Sequence, residues 1–222
     1  MNFVQWLSSL DELLYELMSW IIFFPLTLWR IVRHPLKTMH YAEEQLLLDP
    51  ERQYRGSVSP PIMLMLTIVI VQGLSLALDG PNSIVSSRHG LAGLVNDNTT
   101  LLLLRVILFG TFAIILATRK VQRSDLDVDR DTLKPAFYAQ CYAISPFVLL
   151  LSGGTTAATM HNSVVQMSGI ATVMLAFLFY GFVEVRWFCQ ELGQSIARSF
   201  VDASIGMIGS IAVTISFGLL FR

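Results

Sequence analysis

Arg105 is the one full charge set well inside an apolar run, "TTLLLLRVILFGTFAIILAT". An ionisable side chain at that depth is a functional hypothesis by default. Six residues beyond Thr99, it lies roughly 9 Å below the end of its helix. There it either pairs across the bundle, with Asp79 or Asp97 at a similar depth, or snorkels to the headgroups. Tyr142 and Pro146 stand in "YAISPFVLL". A proline in mid-span frees a backbone carbonyl, and broken helices of this kind line substrate sites in transporters. The alternative is a kink whose freed groups are satisfied by neighbouring helices. Asp202, with Glu184, Arg186 and Arg198, gathers charge at one end of the last two apolar runs. That cluster could bind a partner or a proton, or Arg198 and Asp202 could be a simple i,i+4 pair. Arg105, Tyr142, Pro146 and Asp202 together form a candidate intramembrane polar site.

Other chemistry is weaker. "SDLDVDRD" places Asp125, Asp127, Asp129 and Asp131 at alternate positions, like the first half of a calcium loop. It has Arg130 where that loop needs glycine and Ala136 where it needs glutamate, so a solvated loop of mixed charge is expected. His161 falls in the small-residue stretch "SGGTTAATMHN" and reads as solvated. "NTT" at Asn98 fits a glycosylation pattern at the membrane edge, relevant only in a secretory-pathway host. Cys141 and Cys189 read as free thiols. The chain carries no glycine-rich phosphate loop, no HExxH, no nucleophile elbow and no metal-ligand spacing. An enzyme is not expected, nor a metal or cofactor.

The elements that must position these residues are apolar helices. Hydrophobic residues make up 54% of 222 and charged residues 14%, against about 25% charged in a soluble domain. A bilayer core takes roughly 20 helical residues to cross. Reading apolar runs between charges gives five spans, 60–78, 99–118, 136–153, 162–183 and 200–221. Twelve Lys and Arg flank these runs on one face, from Arg30 to Arg55, Arg119 to Lys134, and Arg186 with Arg198; the other face has Arg88 and Arg222. Cytoplasmic loops retain such charge, so the N-terminus is placed in the cytoplasm and the C-terminus outside. A net charge of -1 argues against a nucleic-acid partner. In the last span Gly206, Ser210, Thr214 and Gly218 recur at strict four-residue spacing, a stripe that lets helix backbones approach. Its partner is a helix of this chain or of a second subunit.

Residues 1–59 form an arm before the first span. Between Glu16 and Arg30 lie thirteen uncharged residues interrupted by Pro25, about 20 Å of helix and short for a crossing. Upstream, Trp6, Leu10, Leu13, Leu17, Ile21, Phe24 and Leu28 recur at helical spacing, while Asp11, Glu12 and Glu16 fall elsewhere. Downstream, Arg30, Arg33 and Lys37 make a basic stripe suited to anionic headgroups. The expectation is a two-part interfacial arm, an apolar wedge ending near Pro25 and a basic surface helix after it. A sixth span is the alternative.

Five spans behind a cytoplasmic segment, with "YAISPFVLL" in the third, "FLFYGFVEVRWF" closing the fourth and "ELGQSIARSFVDA" entering the fifth, resemble the bacterial branch of the Yip1 family. "FFPLTLWRIVRHPLKTM" and "RQYRGSVSPP" resemble the preamble of those proteins, which are often labelled permeases without an assigned substrate. The resemblance implies an all-α, polytopic helix bundle in the bacterial inner membrane, with an interfacial arm and five transmembrane helices. Eukaryotic members are associated with Rab GTPases through a DLYGP-type motif, which is missing from this sequence. The expected role is non-catalytic, organising the membrane or accompanying a larger complex, with lipid headgroups and other membrane proteins or further copies as partners. A small permease with a path near Arg105, Tyr142 and Pro146 is the alternative.

Overall fold

The computed structural model describes residues 3–79 and 98–220, and among them every regular element is helical. The helices are α1 (Phe3–Arg33), α2 (Pro35–Gln45), α3 (Pro60–Asp79), α4 (Asn98–Arg123), α5 (Arg130–Ala158), α6 (Ser163–Glu191) and α7 (Ile196–Leu220), with a short 3-10 turn at Pro50–Arg52. Six of them, all but α2, are long and apolar enough to cross a membrane.

The arm differs from its expected form. α1 is one 31-residue helix that runs through Pro25, and the chain breaks at His34 instead. Pro25 removes one hydrogen bond from a long helix, which neighbouring groups can absorb. Pro35 excludes helical backbone at the residue before it while being well suited to open a helix. His34 accordingly takes φ −139°, ψ 63°, and α2 starts with Pro35 in its first turn. By length and composition residues 10–33 match a spanning helix, which a count stopping at Glu16 had excluded.

The spans also extend past the apolar runs. α5 begins six residues before Ala136 because Asp129 caps it: its carboxylate accepts from the Asp131 and Thr132 amides, and the Thr132 hydroxyl completes the box. The aspartate-rich segment is therefore a helix cap. At the far end Gly153 and Gly154 do not open a loop. The helix continues to Ala158, and Asn162 caps α6 through the Val164 and Val165 amides.

This length is held by a close crossing where α5 ends and α6 begins. A Cβ placed on Gly169 would meet the Ala158 backbone nitrogen, with the Gly154 carbonyl oxygen 2.7 Å away. Further along, Phe147 of α5 stacks on Tyr180 of α6 with ring centroids 4.8 Å apart, and meets Phe177 edge-on. The outward faces stay apolar: Val164, Met167, Ile170, Met174 and Leu178 are exposed along α6, and Phe200, Val201, Ile205 and Ile208 along α7. Polar side chains such as Gln140, Glu184, Asp202 and Ser210 are buried. Apolar outside and polar inside is the arrangement of a helical membrane protein.

Candidate functional site

Three polar groupings tie the bundle together, and they redistribute the residues singled out above. In the core, Gln140 of α5 donates from Nε2 to Glu184 Oε2 of α6 at 2.8 Å, and its Oε1 accepts from the Tyr180 hydroxyl at 3.0 Å. The other Glu184 oxygen and the Trp187 indole nitrogen are buried without a hydrogen-bond partner among the described residues. Glu184 thus faces inward, away from the surface cluster expected for it, while Arg186 and Arg198 are exposed. Helical spacing explains this: Tyr180, Glu184 and Trp187 share one face of α6, and Arg186 lies on another, over the Phe182 ring.

At the end of the bundle where α4 and α6 finish, Asp202 of α7 takes Arg119 at 2.6 Å and Arg123 at 3.0 Å, with the Gln194 amide on the same carboxylate at 3.1 Å. The expected i,i+4 pair with Arg198 is not made: α4 presents its last two turns to Asp202 and supplies both guanidinium groups. Beside this cluster, Lys120 sits 3.6 Å from Glu43 of α2 and 3.2 Å from Glu191 of α6, and His40 lies 3.3 Å from Glu191. His40, Glu43 and Glu191 could in principle surround a metal ion, their ligand atoms lying within 4.8 Å of one another. The Lys120 ammonium already supplies the positive charge there. Burial pushes the Glu43 carboxyl above the ordinary glutamate range, against the opposing pull of Lys120.

The third grouping surrounds the joint between α1 and α2. Tyr142 of α5 donates to the Val58 carbonyl at 2.6 Å, Thr27 of α1 accepts from the Val58 amide, and Arg30 donates from Nη1 to the Gly56 carbonyl at 2.8 Å. The segment before α3 is thereby laced to both helices. Next to it, Tyr54 holds a left-handed backbone at φ 54°, which bulky residues rarely adopt. Its amide bonds to Gln45 Oε1 and its hydroxyl to the Ala42 carbonyl, and these contacts hold the conformation. Around the joint lies a cleft of about 230 Å³ whose walls include Thr27, Arg30, His34, Lys37, Ser57 and Tyr142. Arg30, Arg33, His34 and Lys37 are exposed, and none pairs with a carboxylate among the described residues. Arg33 instead lies over the Trp29 ring.

The four-residue polar site is therefore not assembled. Tyr142 opens to the basic cleft, Pro146 to an apolar groove on its other side, Asp202 belongs to the ion-pair cluster, and Arg105 lines neither opening. Arg105 Nη1 is buried and without a partner among the described residues; Asp97 lies outside those residues, and so does the Asp79 side chain. The small-residue stripe meets α4: a Cβ on Gly206 would stand 2.5 Å from Leu116 Cδ2, and the buried Ser210 hydroxyl bonds back to the Gly206 carbonyl. Thr214 bonds back to Ser210 in the same way, while Gly218 falls in α7 without described contacts. Sequence reasoning missed the Gln140–Glu184 link and the part played by His34, although an uncharged polar residue in a span and a His-Pro pair after a basic run were both in view. Compared with models of protein families, with curated proteins and with solved structures, the chain matches none of them.

Proposed function

We propose that the chain is a non-catalytic, multi-pass membrane protein of Yip1-like type that organises a region of membrane or serves as an accessory subunit of a larger membrane complex. One observation carries the reading: the polar side chains inside the bundle link helix to helix. Gln140 and Glu184 join α5 to α6, Asp202 joins α7 to α4, and Tyr142 joins α5 to the segment before α3. A permease needs such groups to converge on a shared cavity. Arg105, Tyr142 and Pro146 do not, which weighs against that alternative.

In this reading α3 to α7 are the spans and α1 lies obliquely along the cytoplasmic face. From Glu12 to Val32 α1 covers about 30 Å, whereas the α5 residues sharing its clefts advance from Tyr138 to Leu150, about 18 Å. A helix crossing beside α5 would keep pace with it. The outward residues of α1, Met18, Ile21, Ile22, Leu26 and Trp29, suit the hydrocarbon edge, and Arg30, Arg33 and Lys37 suit anionic headgroups. The charge bias supports a cytoplasmic N-terminus and a C-terminus outside, and the family resemblance implies a bacterial inner membrane. Partners are other membrane proteins or further copies of the chain, and no nucleic acid.

Purification in mild detergent with mass measurement of the intact particle tests the role. A stoichiometric partner or a defined homo-oligomer supports it. A monomer whose Arg105→Gln variant folds normally but loses uptake of a solute overturns it in favour of a permease. A tag ahead of Met1 that is accessible from outside would make α1 a sixth span.

A further inference from the structure

We propose that the cleft at the α1–α2 joint is a discrete phosphate site, in which Arg30, His34 and Lys37 hold a phosphate monoester carried by a lipid headgroup or by a small soluble molecule. The inference deepens the reading above and rests on placing that joint at the cytoplasmic face, where both sources are met. It narrows the basic stripe to a defined set of residues, taking in His34 and leaving out Arg33.

The cleft, about 230 Å³, has three basic side chains in its walls, five that carry hydroxyl groups, and no carboxylate. The hydroxyls are taken up by the protein itself. Tyr142 donates to the Val58 carbonyl, Thr38 donates to the His34 carbonyl, Tyr41 and Ser57 pair at 3.2 Å, and Thr27 accepts from the Val58 amide. What remains to donate is cationic. His34 and Lys37 make no side-chain hydrogen bond or ion pair among the described residues, and Arg30 uses only Nη1, on the Gly56 carbonyl, so its other nitrogens are free to donate. The same internal bonds fix the walls, so the site is formed before a ligand arrives and little ordering is left to oppose binding.

The first turn of α2 adds to the same potential. It borders the cleft through Lys37 and Thr38, no side chain caps it, and the Leu36 and Lys37 amides meet no acceptor among the described residues. Free amides at the start of a helix favour an anion. Charge then selects the class of ligand. The larger cleft against the first half of α1, about 510 Å³, sets Arg55 beside Glu12 and Glu16, and Arg119, Lys120 and Arg123 are each matched by a carboxylate. The cleft at the joint has positive charge alone. Arg30 and Lys37 together match the charge of about −1.5 to −2 that a phosphate monoester carries at pH 7, against the single charge of a carboxylate.

Full-length protein, stripped of lipid in an uncharged detergent at about 0.15 M salt, is titrated with glycerol phosphate and with phosphatidic acid, which present the same phosphate without and with acyl chains, and is read by native mass spectrometry. One phosphate monoester binds per chain, and neither glycerol nor diacylglycerol displaces it. Lys37→Gln weakens binding about tenfold, the lower end for one charge-assisted hydrogen bond, and Lys37→Glu abolishes it. The Lys37 side chain has no hydrogen bond within the protein to lose, so both variants fold. Arg33→Gln changes binding by less than about twofold, because Arg33 lies over the Trp29 ring, does not line the cleft and acts only through a screened field. Phosphatidic acid held at least about tenfold tighter than glycerol phosphate assigns the lipid source, and equal or tighter binding of glycerol phosphate assigns the soluble one. Binding of neither probe, an unchanged Lys37→Gln, or an equal loss in Arg33→Gln and Lys37→Gln would each overturn the proposal, the last by reducing the site to a diffuse basic surface. The readout is independent of assembly: a monomer that binds phosphate loses the accessory role and keeps the site, and a defined oligomer that binds none loses the site and keeps the role.

Discussion

Substituting Gly169 by alanine sets a methyl group against the backbone of α5. The new Cβ would meet the Ala158 nitrogen, the Gly154 oxygen at 2.7 Å and the Ala157 carbonyl carbon at 2.8 Å, all of them backbone atoms. None can rotate aside, so the two helices must part. Overpacking costs about 1–3 kcal/mol, and a contact made wholly with backbone belongs at the upper end. Alanine returns up to about 1 kcal/mol as the better helix former, which leaves a net loss of about 2 kcal/mol. At roughly 2–4 °C per kcal/mol for a chain of this size, the apparent melting temperature in detergent falls by about 4–8 °C. Two other glycines calibrate the result. A Cβ on Gly206 meets mainly the end of the Leu116 side chain, which can move, so Gly206→Ala loses less. A Cβ on Gly181 would lie 3.8 Å from Met207 Sδ, an ordinary contact, so Gly181→Ala is neutral or slightly stabilising. The assay is thermal unfolding of all three side by side, followed by tryptophan fluorescence. If Gly169→Ala melts no lower than Gly181→Ala, the close crossing of α5 and α6 is wrong.

Gln140→Leu strands both the Tyr180 hydroxyl and the Glu184 carboxyl, and loses about 3 kcal/mol at 1–3 kcal/mol per buried orphan. Adding Glu184→Leu recovers part of the loss, and a double variant no more stable than Gln140→Leu would sink the coupling. Asp202→Asn leaves Arg119 and Arg123 facing a neutral group. Because the two guanidinium groups are 26% and 45% exposed, the loss is discounted from the fully buried case to about 2 kcal/mol, read by chemical unfolding in detergent. Glu43 carries a pH dependence of known sign. Its carboxyl is raised in the folded state, so its contribution is full below the ordinary glutamate range and is lost as pH rises through the raised value. The docking of α2, followed by amide exchange at Met39 to Ala42, tightens in mild acid, and Glu43→Gln flattens that slope; an unchanged slope in the variant would place its origin elsewhere.

The helices were legible in outline because about twenty apolar residues in a row have few other uses, and their ends were not, because caps lie outside the apolar run. Asp129 and Thr132 form a capping box that opens inside "SDLDVDRD" and closes on the residue after it, but alternate aspartates draw attention to cation binding first. Pro25 and Pro35 show a similar division. Both are prolines near a basic run, and what separates them is whether neighbours can absorb a single missing bond, a tertiary matter that one-dimensional spacing does not carry. The Gly206–Ser210 stripe was readable from one helix alone. The tighter Gly154–Gly169 contact joins residues of two helices: Gly154 has Ala158 four positions on, but Gly169 has only Val165 and Val173 at that spacing, so nothing on α6 announces it.

The site was less legible than the fold for a physical reason. In lipid, a polar side chain that serves a substrate and one that serves a neighbouring helix are the same residue types, since either must find a partner out of water. Spacing along one helix identifies Gln140, Tyr142, Glu184 and Asp202 as polar groups at depth. Only the packing decides that Gln140 faces Glu184, that Asp202 faces α4 and that Tyr142 faces the backbone before α3. Once those are paired, the charges left over are the informative ones. Among the described residues Arg30, His34 and Lys37 lack the carboxylates that every cation of the α4 cluster has, and they line a cleft shared with Thr27 and Tyr142. A cation left exposed and unmatched is a stronger pointer to an outside partner than a charge inside a span, because a folded chain in a membrane has every reason to pair the latter for itself.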